Sequence, residues 1–323
     1  MLSAPTIEHL RICVVGPVAP PAGGMANLTA EIVERLQAEG AQVERVAVNP
    51  AYRPQWARHL KGIRALFRLL PYLWQLGRAI RNADVVHLMA NSGWSWHLHA
   101  TPAIWLAYLL RTPLILNYHG GQADIFFKQS WRWIQPSMRR VSAIIVPSAF
   151  LERVFSRYGI ATTVIPNCID TELFSPNASA GDFGAAPRLL ITRNLEKIYG
   201  IDLAIAALPQ ILSTFANARL YIAGSGPEYP YLQQQVKQLG LESQVTFTGR
   251  LNRVEMAALY RSSNLLLNPS RVDNAPLSII EALACGLPVV SSRAGGIPLL
   301  VKDTEQAVLV DVGSSQALAE GAL

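Results

Sequence analysis

The stretch NLLLNPSRVDNAPLSIIEALACGLPVVS, residues 264–291, is the part of the sequence that decides the fold. It starts with a short apolar run that ends near Asn268, continues through a polar loop, and resumes after Pro276 with apolar residues at helical spacing. A second apolar run follows at Pro288–Ser291. Because proline is favoured at the first helical position, the stretch predicts strand, loop, helix and strand, with Pro276 opening the helix.

The same alternation of short β-rich runs and helical patterns continues through the rest of the chain. It pauses at residues 175–187, which are rich in Ala, Ser, Asn, Gly and Pro, a composition typical of a linker. The sequence therefore predicts an α/β chain with two Rossmann-like domains, residues 1–174 and 188–323, each built on a parallel sheet. We expect the sheets to face a central cleft that holds the ligand, because open parallel sheets bind ligands beyond the carboxyl ends of their strands. Residues 316–323 resemble the first turns of a helix, so we expect the second domain to lack its final helix.

The composition excludes several classes of protein. Half of the 323 residues are hydrophobic, which argues against disorder, and no apolar run reaches the ~18–20 residues that span a bilayer. The three cysteines, Cys13, Cys168 and Cys285, are far apart and odd in number, so neither a disulfide framework nor a zinc-binding spacing is visible. No signal peptide is evident, and a reducing, cytoplasmic location fits these features.

Positive charge is concentrated in the first half of the chain, and no acid occurs between Glu44 and Asp84. Within that interval, residues 53–81 interleave cations with leucines and aromatic residues. Two interpretations stay open: an amphipathic segment at an anionic bilayer surface, on the inner face of the plasma membrane, or a helix pair whose apolar side packs on the sheet. No nucleic-acid motif accompanies the charges, so we expect no nucleic-acid partner.

Two carboxylates, Asp273 and Glu281, lie eight residues apart across the predicted loop and helix. A carboxylate can accept two hydrogen bonds from a vicinal diol such as ribose, and a second one can hold sugar hydroxyls. The free N–H groups that follow Pro276 lie at the positive end of the helix dipole and suit a phosphate. Alone, Asp273 could be a turn residue and Glu281 a solvated helix residue, but the complete strand–loop–Pro–helix string favours a ligand site.

This segment resembles the donor site of the retaining GT-B glycosyltransferases of the GT4 family, the glycosyl transferases group 1, whose signature is two carboxylates eight residues apart. Asp273 stands where the family usually has Glu. The resemblance implies that Glu281 binds the ribose and Asp273 the transferred sugar. It also implies that the peptide groups of Asn274, Ala275, Pro276 and Leu277 line the sugar and diphosphate.

Further segments match the family in the same order along the chain. The glycines of the loop after the first strand, Gly23 and Gly24, would let the backbone approach a phosphate or sugar. The family places a histidine near the transferred sugar, and His119 matches it. The resemblance also implies that three residues shelter the nucleotide base and phosphate: Gly224, Gly226 and Leu251.

Arginine and lysine neutralise the diphosphate in the family, and Arg193 matches the arginine. Alignment on Gly200 puts Tyr199 at the usual lysine position, with Lys197 as the nearest substitute. No Asp-x-Asp metal motif occurs in the sequence. We therefore expect charge stabilisation by arginine, lysine and helix amides, without a metal or cofactor. The resemblance assigns catalytic roles to four residues: His119, Arg193, Lys197 and Asp273.

The resemblance implies a hexosyltransferase-type enzyme that uses a UDP-, GDP- or ADP-sugar as donor. It would transfer the sugar to a glycan or lipid-linked acceptor in cell-envelope or exopolysaccharide synthesis, with retention through attack on the same face. Two alternatives stay open. An epimerase or phosphorylase of the same fold would need an acid/base pair or a pyridoxal lysine, and neither signature is apparent. A non-catalytic sugar-nucleotide-binding protein gains some weight from the departures at Asp273 and Tyr199, while the transferase stays the leading hypothesis.

Overall fold

The computed structural model describes residues 7–19, 24–50, 66–176 and 186–323. The chain divides into two compact units. The first consists of Met1–Pro147 with Leu151–Ile165, and the second of Ser148–Phe150 with Pro166–Leu323.

The first unit is built on a parallel sheet, which has six strands within the described residues, in the order β2-β1-β3-β4-β5-β6. In the interior strand β1 every residue except Arg11 is buried, as expected for a strand covered on both faces. The strands are β1 (Arg11–Gly16), β2 (Gln42–Ala47), β3 (Val85–Ala90), β4 (Leu114–Tyr118), β5 (Ala143–Val146) and β6 (Thr163–Val164). The helices between them are α1 (Gly24–Ala38), α2 (Leu66–Arg81), α3 (Thr101–Leu109), α4 (Ala123–Met138) and α5 (Ala149–Ser156).

The second unit repeats this plan with a parallel sheet in the order β12-β11-β10-β7-β8-β9. Its strands are β7 (Arg188–Thr192), β8 (Arg219–Ala223), β9 (Val245–Gly249), β10 (Leu265–Asn268), β11 (Val289–Ser292) and β12 (Val308–Val310). Its helices are α6 (Ile201–Thr214), α7 (Tyr229–Gln238), α8 (Arg253–Arg261), α9 (Leu277–Ala284), α10 (Ile297–Leu300) and α11 (Ser315–Ala322).

The strands of the second sheet are buried on both faces. Leu189 and Ile191 of β7 belong to one hydrophobic cluster, whereas Leu190 between them belongs to another. Helix α11 adds Leu318 and Ala319 to the first of these clusters. Because successive side chains of a strand point to opposite faces, the sheet separates two cores. The loops that follow the strands lie at the carboxyl edge of the sheet.

The predicted fold class is confirmed: both units are α/β, and their sheets are parallel. The stretch that decided the fold forms β10, a loop, α9 and β11. One detail differs, because Pro276 precedes the helix in an extended conformation (φ −66°, ψ 119°) and the helix begins at Leu277. Apart from Ser148–Phe150, the second unit begins at Pro166, before the predicted linker at 175–187, much of which lies outside the described residues.

Within the described ranges, no helix combines the length and the apolar character needed to cross a membrane. Of the basic segment 53–81, residues 53–65 lie outside the described residues, and the remainder forms α2.

Candidate active site

The loops at the carboxyl edge of the second sheet carry most of the predicted site residues. Arg193 follows β7, Gly224 follows β8, and Asp273 lies in the loop after β10. These strands are neighbours at the centre of a parallel sheet, so their carboxyl ends meet at one edge.

Arg193 and Asp273 form an ion pair in which Arg193 Nη2 donates to Asp273 Oδ2. Only 13% of the arginine side chain and 10% of the aspartate side chain are exposed. The same carboxylate accepts a hydrogen bond from Ser270 Oγ at 3.0 Å and one from the Asn274 backbone N–H at 3.0 Å. Three donors therefore hold the Asp273 carboxylate in one orientation.

The guanidinium of Arg193 also stacks on an aromatic ring, with its Cζ 4.3 Å from the ring centroid of Tyr199. Burial lowers the pKa of Arg193, and the charges of neighbouring groups, including Glu281, oppose that effect. Arginine nevertheless stays cationic in proteins because its ordinary pKa is far above neutrality. Its Nε–H is buried and has no hydrogen-bond partner among the described residues.

Glu281, in the second turn of α9, is held by a buried tyrosine of α8. Tyr260 Oη donates to Glu281 Oε2 at 2.9 Å, and Thr192 Oγ1 lies 2.6 Å from the same phenol oxygen. Burial and the charge of Glu281 raise the pKa of Tyr260 well above its ordinary value. Because the phenol keeps its proton, it acts as donor to the carboxylate, and the Thr192 hydroxyl is then placed to donate to the phenol.

The start of α9 has the features expected of an anion site. Pro276 provides no side-chain cap for the helix, so the first amides keep their capacity to donate. Asn274 and Pro276 are buried, while Ala275 and Leu277 are partly exposed. Ser278, in the first turn, is buried, and its Oγ has no hydrogen-bond partner within the described residues.

Glycines bring the site loops into close contact. Gly224 has φ +148°, and a Cβ there would overlap the carbonyl oxygen of Arg193. Gly226 packs in the same way against the carbonyl of Leu195. Gly295, with φ +52°, leaves room for the carbonyl of Asp273, although the sequence did not single it out. The backbones that carry Arg193 and Asp273 are thus fixed by residues without side chains.

Two predicted residues of the second unit lie apart from these contacts. Lys197 begins a 3-10 turn, its side chain is exposed, and its Nζ makes no ion pair within the described residues. Its backbone carbonyl accepts hydrogen bonds from Arg271 Nη1 at 2.8 Å and from the Gly200 N–H at 3.3 Å. Leu251 follows β9 and is partly buried.

The remaining predicted residues belong to the first unit. Gly24 is the exposed first residue of α1, and Gly23 lies outside the described residues. His119 directly follows β4 and continues its ladder, because its N–H donates to the Ala90 carbonyl at 2.9 Å. Its Nε2 lies 2.8 Å from Asn117 Oδ1.

Sequence reasoning missed the residues that orient the predicted ones: Thr192, Tyr260, Ser270, Asn117 and His87. Asn117 carried a weak signal, since it lies two residues before His119 and therefore on the same face of an apolar strand. Tyr260 carried none, because it is one aromatic residue in an amphipathic helix.

Among the described residues, no group of three His, Cys, Asp or Glu side chains is placed to hold a metal ion. The expectation that no metal takes part stays a prediction from the sequence.

Two family models match this chain. Glycosyltransferase Family 4 matches residues 22–173, and Glycosyl transferases group 1 matches residues 180–323. Among curated proteins, the N-acetyl-alpha-D-glucosaminyl L-malate synthase of Bacillus anthracis is 33% identical over 42% of this chain and 35% of its own length. The GDP-mannose-dependent alpha-(1-6)-phosphatidylinositol monomannoside mannosyltransferase of Mycolicibacterium smegmatis is 30% identical over 53% of this chain and 46% of its own.

The chain therefore spans less than half the length of these curated relatives. Among solved structures, HepE of Anabaena in complex with UDP and glucose matches with a TM-score of 0.72 at 20% identity. That match covers 97% of this chain and 88% of HepE. At such low identity the likeness concerns the fold.

Proposed function

Because the chain belongs to the GT-B glycosyltransferases, we propose that it transfers a glycosyl group from a nucleoside diphosphate sugar to a glycan or lipid-linked acceptor. The observation that carries the proposal is the arrangement around Arg193. The buried Arg193 cation is paired with Asp273, and the negative charge of Glu281 also stabilises it. It lies at the carboxyl edge of a parallel sheet, in the same unit as a helix start without a side-chain cap. Such a site has donors for a diphosphate and acceptors for hydroxyls.

In the proposed complex, Glu281 accepts hydrogen bonds from the ribose, and Tyr260 keeps its carboxylate oriented. Asp273 accepts from hydroxyls of the transferred sugar. The diphosphate lies against the first amides of α9 and the guanidinium of Arg193, whose Nε–H is an unused donor within the described residues. These charges stabilise the diphosphate as it leaves.

Relatives of this chain differ in the nucleotide that their names or structures carry. HepE was solved with UDP, and the mycobacterial relative is named for GDP-mannose, so relatives of both kinds exist. We propose a thermal-shift screen of UDP-, GDP- and ADP-sugars, each with and without EDTA. A ligand that binds the native state raises its stability by mass action. One donor series is expected to raise Tm, and the shift is expected to survive chelation.

Glu281→Ala is the informative variant for that screen, and Glu242→Ala, at an exposed position outside the site, is the matched control. We expect the first to lose the donor-induced shift and the second to keep it. A shift that persists in Glu281→Ala would refute the assignment of Glu281, and no shift with any nucleotide sugar would refute the proposed donor class.

Retention of anomeric configuration is proposed from the family resemblance and is tested on the product. Once a donor and an acceptor analogue support turnover, proton NMR of the anomeric signal during the reaction reports the configuration. An inverted product would overturn this part of the proposal without affecting the donor site. A role in cell-envelope or exopolysaccharide synthesis depends on the acceptor found.

Peripheral membrane attachment is supported by the described part of the basic segment. In α2, Tyr72, Leu76 and Ile80 are buried, whereas the opposite face exposes Leu70 and Trp74 by 62% and 71% of their surface. The exposed cations Arg78 and Arg81 continue that face along the helix. Apolar side chains next to cations suit the surface of an anionic bilayer.

Flotation with phosphatidylglycerol-containing vesicles at low salt tests this attachment. We expect Trp74→Ala to weaken vesicle binding and Trp133→Ala, which removes an equally exposed tryptophan from α4, to leave it unchanged. Wild-type protein that stays at the bottom of the gradient would show that the exposed face of α2 has another role.

A further inference from the structure

Three polar side chains form a row on the first sheet: His87 of β3, then Asn117 and His119 at the end of β4. Strands β3 and β4 are parallel neighbours, with His87 opposite Ile115. Because residues two apart on a strand share a face, Ile115, Asn117 and His119 lie on the side of the sheet that also carries His87. His119 ends the row at the carboxyl edge, where ligands of open parallel sheets bind.

The carboxamide of Asn117 joins the two imidazoles. Its Nδ2 lies 3.2 Å from His87 Nε2, and its Oδ1 lies 2.8 Å from His119 Nε2. An amide nitrogen can only donate and an amide oxygen can only accept. His87 Nε2 must therefore be the unprotonated nitrogen of its ring, while His119 Nε2 must carry a proton.

Both rings are neutral at neutral pH. Burial lowers the pKa of His87 to about 4, and burial together with the neighbouring His87 lowers the pKa of His119 to about 4. A neutral imidazole has one N–H, so a proton on Nε2 of His119 leaves its Nδ1 as an acceptor. No hydrogen bond to that Nδ1 occurs within the described residues.

We propose that Asn117 and His87 are positioning residues that fix His119 in the Nε2–H tautomer and so leave its Nδ1 as an acceptor at the carboxyl edge of the first sheet. The consequence for turnover rests on the proposed function together with the family resemblance, which implies a histidine near the transferred sugar. The tautomer itself concerns the protein alone and can be tested without any substrate.

The tautomers are measured by 15N NMR of the histidine rings in the intact, ligand-free protein, with His87→Gln and His119→Gln used for assignment. The expected result is a proton on Nε2 of His119 and on Nδ1 of His87. The opposite pair of tautomers, which an inverted carboxamide would produce, would overturn the proposal. Asn117→Asp offers two acceptors, so His87 is expected to change to the Nε2–H form while His119 keeps its own.

Kinetics then test the consequence for the reaction. Asn117→Leu is expected to lower kcat about 10-fold or more, whereas Asn117→Asp, which still orients His119, is expected to retain most activity. Binding of the free nucleoside diphosphate is expected to be unchanged in both variants. Equal loss in Asn117→Leu and Asn117→Asp would contradict the positioning role.

The two failures are distinguishable. If no donor is turned over while the tautomers are as expected, the proposed function fails and the positioning of His119 stands. If turnover is found but His119 carries its proton on Nδ1, the proposed function stands and this inference fails.

Discussion

Arg193 donates directly to Asp273, although the family resemblance assigns the arginine to the diphosphate and the aspartate to the sugar. The pair is largely buried, and the Arg193 guanidinium also packs on the ring of Tyr199. Tyr199 occupies the sequence position at which the family usually has a lysine. Among the described residues, Arg193 is therefore a buried cation of the site whose charge is neutralised by Asp273. Donor binding is expected to redistribute the hydrogen bonds of that pair.

Removing the charge of Asp273 is expected to destabilise the second unit. Asp273→Asn leaves the Arg193 cation buried without its counter-ion, and breaking a buried pair in this way costs about 3–5 kcal/mol. Asp273→Glu keeps a carboxylate, so its free energy of unfolding is expected to fall by clearly less. Urea unfolding at pH 7 measures both. Equal losses in the two variants would indicate that the shape of the side chain matters and its charge does not.

The hydrogen bond from Tyr260 to Glu281 is expected to contribute to both stability and donor binding. Tyr260→Phe keeps the ring and removes the phenol oxygen, which donates to a charged partner, so we expect the free energy of unfolding to fall by about 1.5–3 kcal/mol. The nucleotide-induced thermal shift is also expected to decrease. Tyr231→Phe, at an exposed position in α7, is the control and is expected to change neither quantity.

Close backbone packing at Gly224 is expected to make this glycine intolerant of a side chain. Gly224→Ala combines a positive φ with overlap on the Arg193 carbonyl, whereas Gly240→Ala has φ +67° and meets no atom within 4 Å. Strain from a positive φ alone costs about 1–2 kcal/mol. Gly224→Ala adds the overlap with the carbonyl, so its free energy of unfolding is expected to fall by more than that of Gly240→Ala. Comparable losses in urea unfolding would mean that the loop after β8 can move away from Arg193.

Stability is expected to fall as pH decreases from about 6.5 towards about 4. In the unfolded chain His87 and His119 titrate near 6.5, whereas in the folded protein the pKa of each is about 4, so the unfolded state binds more protons in this window. Between pH 6.5 and 5 the loss is on the order of 1–2 kcal/mol for each histidine.

The double variant His87→Gln, His119→Gln is expected to flatten that slope relative to wild type, and His9→Gln serves as the control outside the row. Urea unfolding at a series of pH values provides the measurement. An unchanged slope in the double variant would show that other groups cause the pH dependence.

The α/β fold class and the glycosyltransferase family were both predicted from the sequence and are confirmed by the structure and the family models. The spacing of Asp273 and Glu281 was decisive, because strand, loop and helix are local structures with local signals. The predictions for individual site residues remain to be tested by the experiments above.

What the sequence determined by itself was the order of elements and the identity of three groups in the segments that follow β7, β10 and β4: Arg193, Asp273 and His119. What only the tertiary structure decided was their partners. Asp273 lies 80 residues from Arg193 along the chain, and Tyr260 lies 21 residues before Glu281. Such contacts depend on which strands are neighbours in the sheet and on which face a helix buries. Periodicity fixes neither, because it reports only the conformation of each segment.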